Sequence, residues 1–442
     1  MRIDYILDRL RENGNRLAVV SDDTEYTFGD IYKKYEEVTE QLDDSHISFG
    51  NIVSVIAEFT PVSIAVLIAL IERDAIIVPI SKTVKGKENY IRISESQYVI
   101  DLQDDIQIKS TDVVPKHEML LGIIRKKVPG LILFSSGTTG EPKAALHDLT
   151  YLMEKFRSPG KCLRTVTFLL FDHIGGFNTI MHSLSSGCMI ATLKTRSPEE
   201  VCRIIEKYNI ELLPTSPTFI NMILLSRVYE KYDLSGLKMI SYGTEPMPES
   251  TLKQLHRILP TVRLKQTYGL SEVGIMSTKS EASDSLWMKI GGDGYETKIK
   301  DGILYIRAKS AMVGYLNAPS PFDGDGWFNT KDKVEKKGDY IKILGRTTDL
   351  INVGGEKVYP NEIESVLLSF EGVRDVYVYG EPNPITGQSV TADVCVEEKF
   401  NNREYIKRLR RYCKENLEPY KRPVSYKLTA EMFYGDRFKK KR

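Results

Sequence analysis

Residues 131–143 read LILFSSGTTGEPK and decide the fold, because they join a short apolar run to a small-residue loop that ends in a lysine. The apolar run predicts a buried strand. Gly137 and Gly140 allow sharp backbone turns, and Lys143 supplies a positive charge. Hydroxyl and N–H donors in the loop favour a bound polyphosphate, and they belong to Ser135, Ser136, Thr138 and Thr139. The loop lacks the GxxxxGK[ST] pattern of P-loop proteins, and a glycine-rich hairpin turn is the alternative interpretation.

Short apolar runs alternate with helical patterns on both sides of this loop. Before it, IVSVIAEF, PVSIAVLIALIER and AIIVPI predict strand, helix and strand, and residues 27–30 have the form of a capped helix start. After it, the runs TVTFLL, MIATL and LKMISY are separated by PEEVCRIIEKY and PTFINMILLSRVYEKY, and PESTLKQLHRIL follows. The alternation predicts parallel sheets covered by helices.

The pattern changes from about Ile290, where shorter strands separated by turns begin with YETKIKDGILYIRA and DYIKILG. Beyond Gly345 the sequence holds a helix start at Pro360, a strand pair around VRDVYVYG and SVTADVCVEE, and the charged helix EYIKRLRRYCKENL. These segments predict a small α+β domain at the end of the chain.

Length and charge restrict the kind of partner. A chain of 442 residues with 41% hydrophobic content exceeds the size of a usual single core, so two or more domains are expected. The net charge of +1 gives no overall field that would attract nucleic acid or an anionic membrane. A small or neutral partner is expected instead.

The cysteines and the apolar segments predict a cytoplasmic protein. Five cysteines are an odd number, widely spaced and without a CxxC pair, so we expect free thiols in a reducing compartment. The start of the chain carries charges throughout and lacks the apolar run of a signal peptide. The most apolar stretch, Ala65 to Ile71, is too short to insert across a membrane.

The loop SSGTTGEPK resembles the phosphate-loop signature of the adenylate-forming superfamily, which includes acyl-CoA synthetases, firefly luciferase and the adenylation domains of nonribosomal peptide synthetases. YGLSE at 268–272, GWFNTKD at 326–332, and Gly345-Arg346 running to GGEKVYPNEIE resemble further motifs of that family in the same order. The resemblance covers the chain from about Tyr26 to its end. It implies an α/β fold in which residues 1–346 form parallel sheets covered by helices plus a small distorted β-barrel, and residues 347–442 form a small α+β domain that rotates between half-reactions.

The resemblance also implies a nucleotide site. Its phosphate-binding members are Ser135, Ser136, Gly137, Thr138, Thr139, Gly140 and Lys143, and Thr138 with Glu272 would hold Mg²⁺. The segment SYGTEPMP at 241–248 would surround the adenine through Gly243, Thr244 and Glu245, and the YGLSE motif adds Tyr268, which would stack on the base, with Gly269 and Ser271. Asp332 and Arg346 would bind the ribose, since a carboxylate can accept hydrogen bonds from both hydroxyls of a diol. A core tyrosine beside a surface glutamate is the alternative for YGLSE, and a β-turn with a buried tryptophan is the alternative for GWFNTKD.

The acyl pocket is implied by FDHIGG, in which His173 would lie beside the acid and the thiol entrance. Asp172 after Phe171 could bind the amine of an amino acid, as in amino-acid-activating relatives. The HIGG form is more similar to the branch that activates fatty or aryl acids, so an acid without an amine is expected.

Two departures from the family concern the end of the chain. The usual PxxxxGK element is absent, and the spacing from YKRP at 420–423 implies Lys439 as the adenylation lysine. A solvated basic tail is the alternative for KKKR. Thr348 stands where the family has its hinge residue, followed by Asp349. Gly354 and Gly355 would approach the site with the thiol.

The resemblance implies ATP-dependent activation of a small carboxylic acid to an acyl-adenylate, with Mg²⁺, Lys439, Thr138, Glu272 and His173 as the catalytic set. Thioester formation with coenzyme A would follow. One alternative acceptor is the phosphopantetheine of an acyl carrier protein, and an alternative of another class is a non-catalytic nucleotide-binding relative. The sequence does not identify the acid, and it leaves a homodimer open.

Overall fold

The fold is taken from a computed structural model that describes residues 3–103, 105–135, 141–435 and 440. Its helices, in chain order, are α1 Asp4–Glu12, α2 Phe28–Asp44, α3 Pro61–Glu72, α4 Lys87–Ile93, α5 Glu118–Lys126, α6 Leu149–Met153, α7 Ile174–Ser185, α8 Pro198–Lys207, α9 Pro217–Ser226, α10 Glu249–Ile258, α11 Pro360–Leu368 and α12 Arg403–Asn416.

The first half of the strands belongs to the helix-covered sheets. They are β1 Leu17–Ser21, β2 Thr24–Thr27, β3 Ile52–Ala57, β4 Ile76–Ser81, β5 Tyr98–Leu102, β6 Ile106–Ser110, β7 Gly130–Ser135, β8 Lys143–Asp148, β9 Thr165–Val166, β10 Ile190–Ala191, β11 Leu212–Thr215, β12 Met239–Tyr242 and β13 Arg263–Gln266.

The remaining strands are mostly antiparallel; the exceptions in placement are β20, which joins the second helix-covered sheet beside β8, and β27, which runs parallel to β26. They are β14 Gly269–Leu270, β15 Gly274–Ile275, β16 Ser277–Ser280, β17 Met288–Gly291, β18 Tyr295–Lys300, β19 Ile303–Ala308, β20 Gly314–Tyr315, β21 Phe328–Lys337, β22 Tyr340–Arg346, β23 Ile351–Val353, β24 Glu356–Val358, β25 Val373–Asn383, β26 Gly387–Val396 and β27 Ser425–Thr429.

Two sheets form the large part of the molecule, of which the first is mainly parallel and the second has three parallel pairings, from β7 to β5, with antiparallel strands at both edges. The first has the order β13-β12-β11-β9-β10-β1-β2, and the second has the order β20-β8-β7-β4-β3-β5-β6. Helix α3 packs between them and is buried over almost its whole length, because its residues are nearly all apolar. A separate apolar cluster lies beneath α8, α9 and α10 on the other face of the first sheet. The prediction of parallel sheets covered by helices is confirmed.

The later strands confirm the change of architecture. An antiparallel sheet of order β16-β17-β22-β21-β19-β18 forms a curled half-barrel. The last sheet has the order β24-β23-β26-β25 with β27 beside β26, and α11 and α12 contribute to its own apolar cluster. This last sheet with its helices is called the small unit below. Where the boundary between domains falls stays a prediction.

The small unit contacts the large part through α9 and α10. The side chain of Ser250 donates to the backbone carbonyl of Ser365 at 3.0 Å, and the backbone N–H of Ser250 donates to the Ser365 hydroxyl at 3.3 Å. Asn221 on α9 donates to the backbone carbonyl of Arg374 at 2.9 Å. Polar contacts of this kind suit an interface that opens and closes.

The expectation that all cysteines are free thiols is wrong for Cys162 and Cys188, which are joined as a disulfide. The reason lies in the register of the first sheet, where Thr165 on β9 is the parallel partner of Ile190 on β10. That pairing brings the loop before β9 to the turn before β10, and the two Cα atoms lie 5.2 Å apart. The other three cysteines are free and buried.

Among the residues that the structure describes, no helix has the length and apolar character needed to cross a membrane.

Candidate active site

The site lies where parallel strands of the first sheet end. Thr215, Tyr242 and Gln266 are register partners at the carboxyl ends of β11, β12 and β13. The loops that follow these ends carry Glu245 and Tyr268. In open α/β sheets ligands bind outside the carboxyl ends of the strands, so the topology brings these predicted residues to one edge.

Asp332 is the centre of a compact polar cluster. It stands opposite Arg346 in the β21–β22 ladder, and its Oδ1 lies 3.4 Å from the Arg346 Nε. Its Oδ2 accepts a hydrogen bond from the Tyr268 hydroxyl at 2.5 Å. The carboxylate is 6% exposed, whereas the Arg346 side chain is largely in solvent. The structure therefore brings together three residues that the sequence predicts for the nucleoside.

Burial sets the protonation of this cluster. It raises the pKa of the Asp332 carboxyl, although the hydrogen bond from Tyr268 and the charge of Arg346 act in the opposite direction. Burial and the nearby charge of Asp332 raise the pKa of the Tyr268 phenol well above its usual range. Tyr268 therefore stays a hydrogen-bond donor. Its ring belongs to the apolar cluster of the half-barrel, so the alternative interpretation of a core tyrosine applies to part of its environment.

Glu272 is fixed by Tyr315, a residue outside all of the predicted motifs. The Tyr315 hydroxyl donates to the Glu272 Oε1 at 2.5 Å, and the backbone N–H of Met312 donates to the Glu272 carbonyl at 2.8 Å. The charge of Glu272 adds to burial in raising the Tyr315 pKa. Because Tyr315 and Glu272 are 43 positions apart in the sequence, no local motif predicts this contact.

The carboxylate oxygens of Glu272 are suitable ligands for Mg²⁺. This ion prefers oxygen ligands and is usually held by one or two carboxylates together with substrate phosphates. In the described part of the chain, no group of three or more His, Cys, Asp or Glu side chains could hold a metal alone. Glu272 with ATP phosphates is the arrangement that this donor set allows.

The segment predicted around the adenine is constrained by close backbone approach. A Cβ on Gly243 would lie 2.5 Å from the Thr267 hydroxyl, so only glycine fits there. Thr244 has a positive φ of 74°. The Oε1 of Glu245 accepts the backbone N–H of Thr218 at 2.8 Å, which ties this loop to the start of α9.

The ends of the phosphate loop are described, but the loop itself is not. Ser135 ends β7 and pairs with Lys143 at the start of β8. Asn317 holds the chain after the loop, since its Oδ1 accepts the N–H of Ala144 at 3.0 Å and its Nδ2 donates to the Pro142 carbonyl at 2.9 Å. The Lys143 ammonium lies 5.4 Å from the ring centre of Tyr315. The other predicted loop residues lie outside the described residues, namely Ser136, Gly137, Thr138, Thr139 and Gly140.

Comparison with known proteins identifies the family of this chain. A model of the AMP-binding enzyme matches residues 7–316, and a model of the AMP-binding enzyme C-terminal domain matches residues 362–433. The chain belongs to the AMP-binding enzyme family.

Several named relatives of this AMP-binding enzyme are CoA ligases. An acyl-CoA synthetase 7 of Caenorhabditis elegans is 28% identical over 68% of this chain, and a 2-succinylbenzoate–CoA ligase of Listeria monocytogenes is 27% identical over 68% of this chain. The matches span 61% and 66% of the length of those two relatives. A crystal structure of an anthranilate CoA ligase with anthranoyl-AMP has a TM-score of 0.81 at 20% identity, covering 97% of this chain and 93% of that one. At that identity the likeness shows the fold.

His173 has a structural contact in this AMP-binding enzyme. It is the N-cap of α7, and its Nδ1 accepts the backbone N–H of Gly175 at 3.0 Å. The proton of a neutral ring then lies on Nε2. Asp172 beside it is 4% exposed. A role of His173 in the acyl pocket stays a prediction.

The predicted hinge residues directly follow Arg346, and the charge of Asp349 acts on Asp332. The Thr348 hydroxyl donates to the Asp349 carboxylate at 3.0 Å within a short 3₁₀ turn after β22. Gly354 and Gly355 form the turn of the β23–β24 hairpin with positive φ values of 62° and 96°. The N–H of Gly354 donates to the Thr386 carbonyl at 2.8 Å. These glycines therefore contact their own sheet in the observed arrangement.

Lys439 lies outside the described residues. The remaining members of YGLSE, Gly269 and Ser271, are half-buried. A Cβ on Gly269 would come within 2.9 Å of the Gly274 carbonyl, so that position also requires glycine.

Proposed function

We propose that this chain uses ATP to convert a carboxylic acid to an acyl-adenylate and then transfers the acyl group to the thiol of coenzyme A. What supports the proposal is the family membership together with one observation, the Tyr268–Asp332–Arg346 cluster at the sheet edge. A buried carboxylate beside a guanidinium suits a ribose diol.

In the first half-reaction an oxygen of the substrate carboxylate forms a bond to the α-phosphorus, and the bond from that phosphorus to pyrophosphate breaks. Bound Mg²⁺ would neutralise charge on the phosphates. Asp332 and Arg346 orient the sugar, while Glu272, Lys143 and the phosphate-loop residues that the sequence predicts hold the phosphate end. Lys439 is the proposed cation on the developing negative charge.

In the second half-reaction the thiol sulfur forms a bond to the acyl carbon, AMP leaves, and the thiol proton passes to solvent. Activation is needed because a free carboxylate has oxide as its leaving group, whereas the adenylate releases AMP. We propose that the small unit rotates about Thr348 and Asp349 so that Gly354 and Gly355 reach the site. The acyl carrier protein is the alternative thiol donor.

The acid itself is proposed to lack an amine, as the HIGG form of residues 173–176 indicates. A buried Asp172 next to Phe171 is the feature that would instead suit an amino acid. The two classes are separated by the assay below.

The test is ATP-dependent pyrophosphate release across short-chain, fatty, aryl, hydroxy and amino acids, with coenzyme A, a phosphopantetheinylated carrier protein or no acceptor. We expect release with one acid class, and a thioester with coenzyme A. Glu272→Gln should lower release by about 10-fold or more, since a metal-binding carboxylate is lost. Glu281→Gln is the matched control, because Glu281 pairs with Lys337 at the turn of the β21–β22 hairpin, at the other end of the ladder from Asp332. Release by no acid would favour the non-catalytic relative.

A further inference from the structure

Lys440 is a partly buried cation held between two carboxylates of the small unit. Its side chain is 13% exposed, and its Nζ lies 3.0 Å from the Glu364 Oε2 and 3.7 Å from the Asp375 Oδ1. Tyr434 pairs with it across an isolated antiparallel bridge. The residue therefore belongs firmly to the small unit, although it stands almost at the end of the chain.

The two carboxylates are arranged in advance for a cation. Glu364 on α11 is 2% exposed, and its other oxygen accepts the N–H of Val378 at 3.1 Å. Asp375 on β25 is 5% exposed, and its other oxygen accepts the N–H of Phe433 at 2.8 Å. Removing one partner of such a buried pair leaves uncompensated charge, which is strongly unfavourable. The ammonium of Lys440 supplies that compensation.

The backbone of the same residue reaches the large part of the molecule. The N–H of Lys440 donates to the Glu245 Oε2 at 3.0 Å. Glu245 belongs to the segment predicted around the adenine, and its Oε1 is already held by the N–H of Thr218. Lys440 thus connects Glu364 and Asp375 of the small unit to Glu245, at the edge of the first sheet where the nucleotide is proposed to bind. This link exists only while the two parts are apposed as observed.

We infer that Lys440 is a positioning residue for acyl-adenylate formation, which holds the small unit against Glu245 beside the proposed nucleotide site. The inference rests on the proposed function. Lys439 is joined to this anchor by one peptide bond, and consecutive Cα atoms are about 3.8 Å apart, so the anchor restricts where that residue can reach. Transfer to the thiol follows the loss of pyrophosphate and does not need the anchor.

The experiment separates the two half-reactions in Lys440→Met. We expect pyrophosphate release to fall by about 10-fold or more, as small misplacements of a catalytic group are costly. Thioester formation from supplied acyl-AMP and coenzyme A should stay within about twofold of wild type. Lys440→Arg should recover most of the first half-reaction, since a guanidinium can pair with both acids. If Lys440→Met does not fold, the double variant Lys440→Met with Glu364→Gln restores the net charge that wild type has at this cluster and carries the same test.

Lys421→Met is the matched control. Lys421 also bridges two carboxylates of the small unit, Glu362 at 2.9 Å and Glu418 at 2.7 Å, and it has no contact with Glu245. It should leave both half-reactions unchanged. Equal loss of both half-reactions in Lys440→Met, or a first half-reaction as fast as that of wild type, would overturn the inference.

Amide hydrogen exchange of residues 425–435 and of Lys440 tests the anchor without any acid substrate. We expect slow exchange in wild type and Lys421→Met, and faster exchange in Lys440→Met. A wild-type protein that releases no pyrophosphate would contradict the proposed function alone. Rapid exchange in wild type would contradict the anchor, whichever acid is found.

Discussion

At the scale of one residue, the pKa of the Asp332 carboxyl is subject to two opposing effects. Its burial disfavours the charged form, whereas Tyr268 and Arg346 stabilise it. Asp332→Asn keeps the shape of the side chain but cannot accept two hydrogen bonds from a ribose. We expect the KM for ATP to rise about 10- to 100-fold, because a hydrogen bond to a charged group contributes about 1.5–3 kcal/mol. Steady-state pyrophosphate release at varied ATP measures this.

The control for this prediction is Asp339→Asn. Asp339 lies at the turn of the same β21–β22 hairpin and pairs with Lys289 on an exposed surface. That pair should contribute little. A KM for ATP of Asp332→Asn equal to that of Asp339→Asn would exclude a ribose role for Asp332.

Residue-scale contacts also mark the limit of what the sequence could predict. The residues of YGLSE and GWFNTKD were selected because their motifs are local and ordered. Tyr315 and the Cys162–Cys188 pair were missed, since their partners are brought together only by the packing and register of sheets. The polar surroundings of Lys440 were missed for the same reason.

Elements were predictable where the signal was local. Thr27 and Asp30 form the reciprocal capping box at the start of α2, as the sequence indicated. The predicted strand TVTFLL is wrong in length, because only Thr165 and Val166 pair as β9. The N–H of Phe168 turns back to the Val166 carbonyl, which takes the chain out of the sheet towards His173. Apolar character alone could not reveal that turn.

A prediction about acid stability concerns His147, which lies on β8. The imidazole is fully buried, and this burial lowers its pKa to about 4, partly opposed by hydrogen bonding to the backbone of Ser271 and Ser310. The unfolded chain therefore takes up a proton before the folded one does. Stability should be fully present above about pH 6.5 and fall by about 1.4 kcal/mol per pH unit down to about pH 4.

Urea unfolding of wild type and His147→Leu between pH 7.5 and pH 4.5 measures this effect. The variant should lose less stability in acid than wild type. His46→Asn is the control, since His46 is exposed and its φ of 58° suits asparagine. Parallel loss of stability in wild type and His147→Leu would show that other groups cause the acid sensitivity.

At the scale of the whole molecule, the contact between Ser250 on α10 and Ser365 on α11 defines one arrangement of two parts. Their hydroxyl oxygens lie 3.4 Å apart, so these are the two positions at which we would introduce a pair of cysteines to form a disulfide. Because Lys440 contacts Glu245 in this arrangement, the locked enzyme should keep acyl-adenylate formation within about twofold. Thioester formation should fall by about 10-fold or more, since it needs the proposed rotation.

Single-turnover assays of the oxidised Ser250→Cys, Ser365→Cys variant, before and after reduction, test this prediction. Reduction should restore the thioester rate. The Cys162–Cys188 disulfide responds to the same reagents, so wild type treated identically is the necessary control. If the locked enzyme formed thioester as fast as the reduced one, coenzyme A would reach the adenylate without rotation. The glycine turn at 354–355 would then have no part in the transfer, and the observed arrangement would serve both half-reactions.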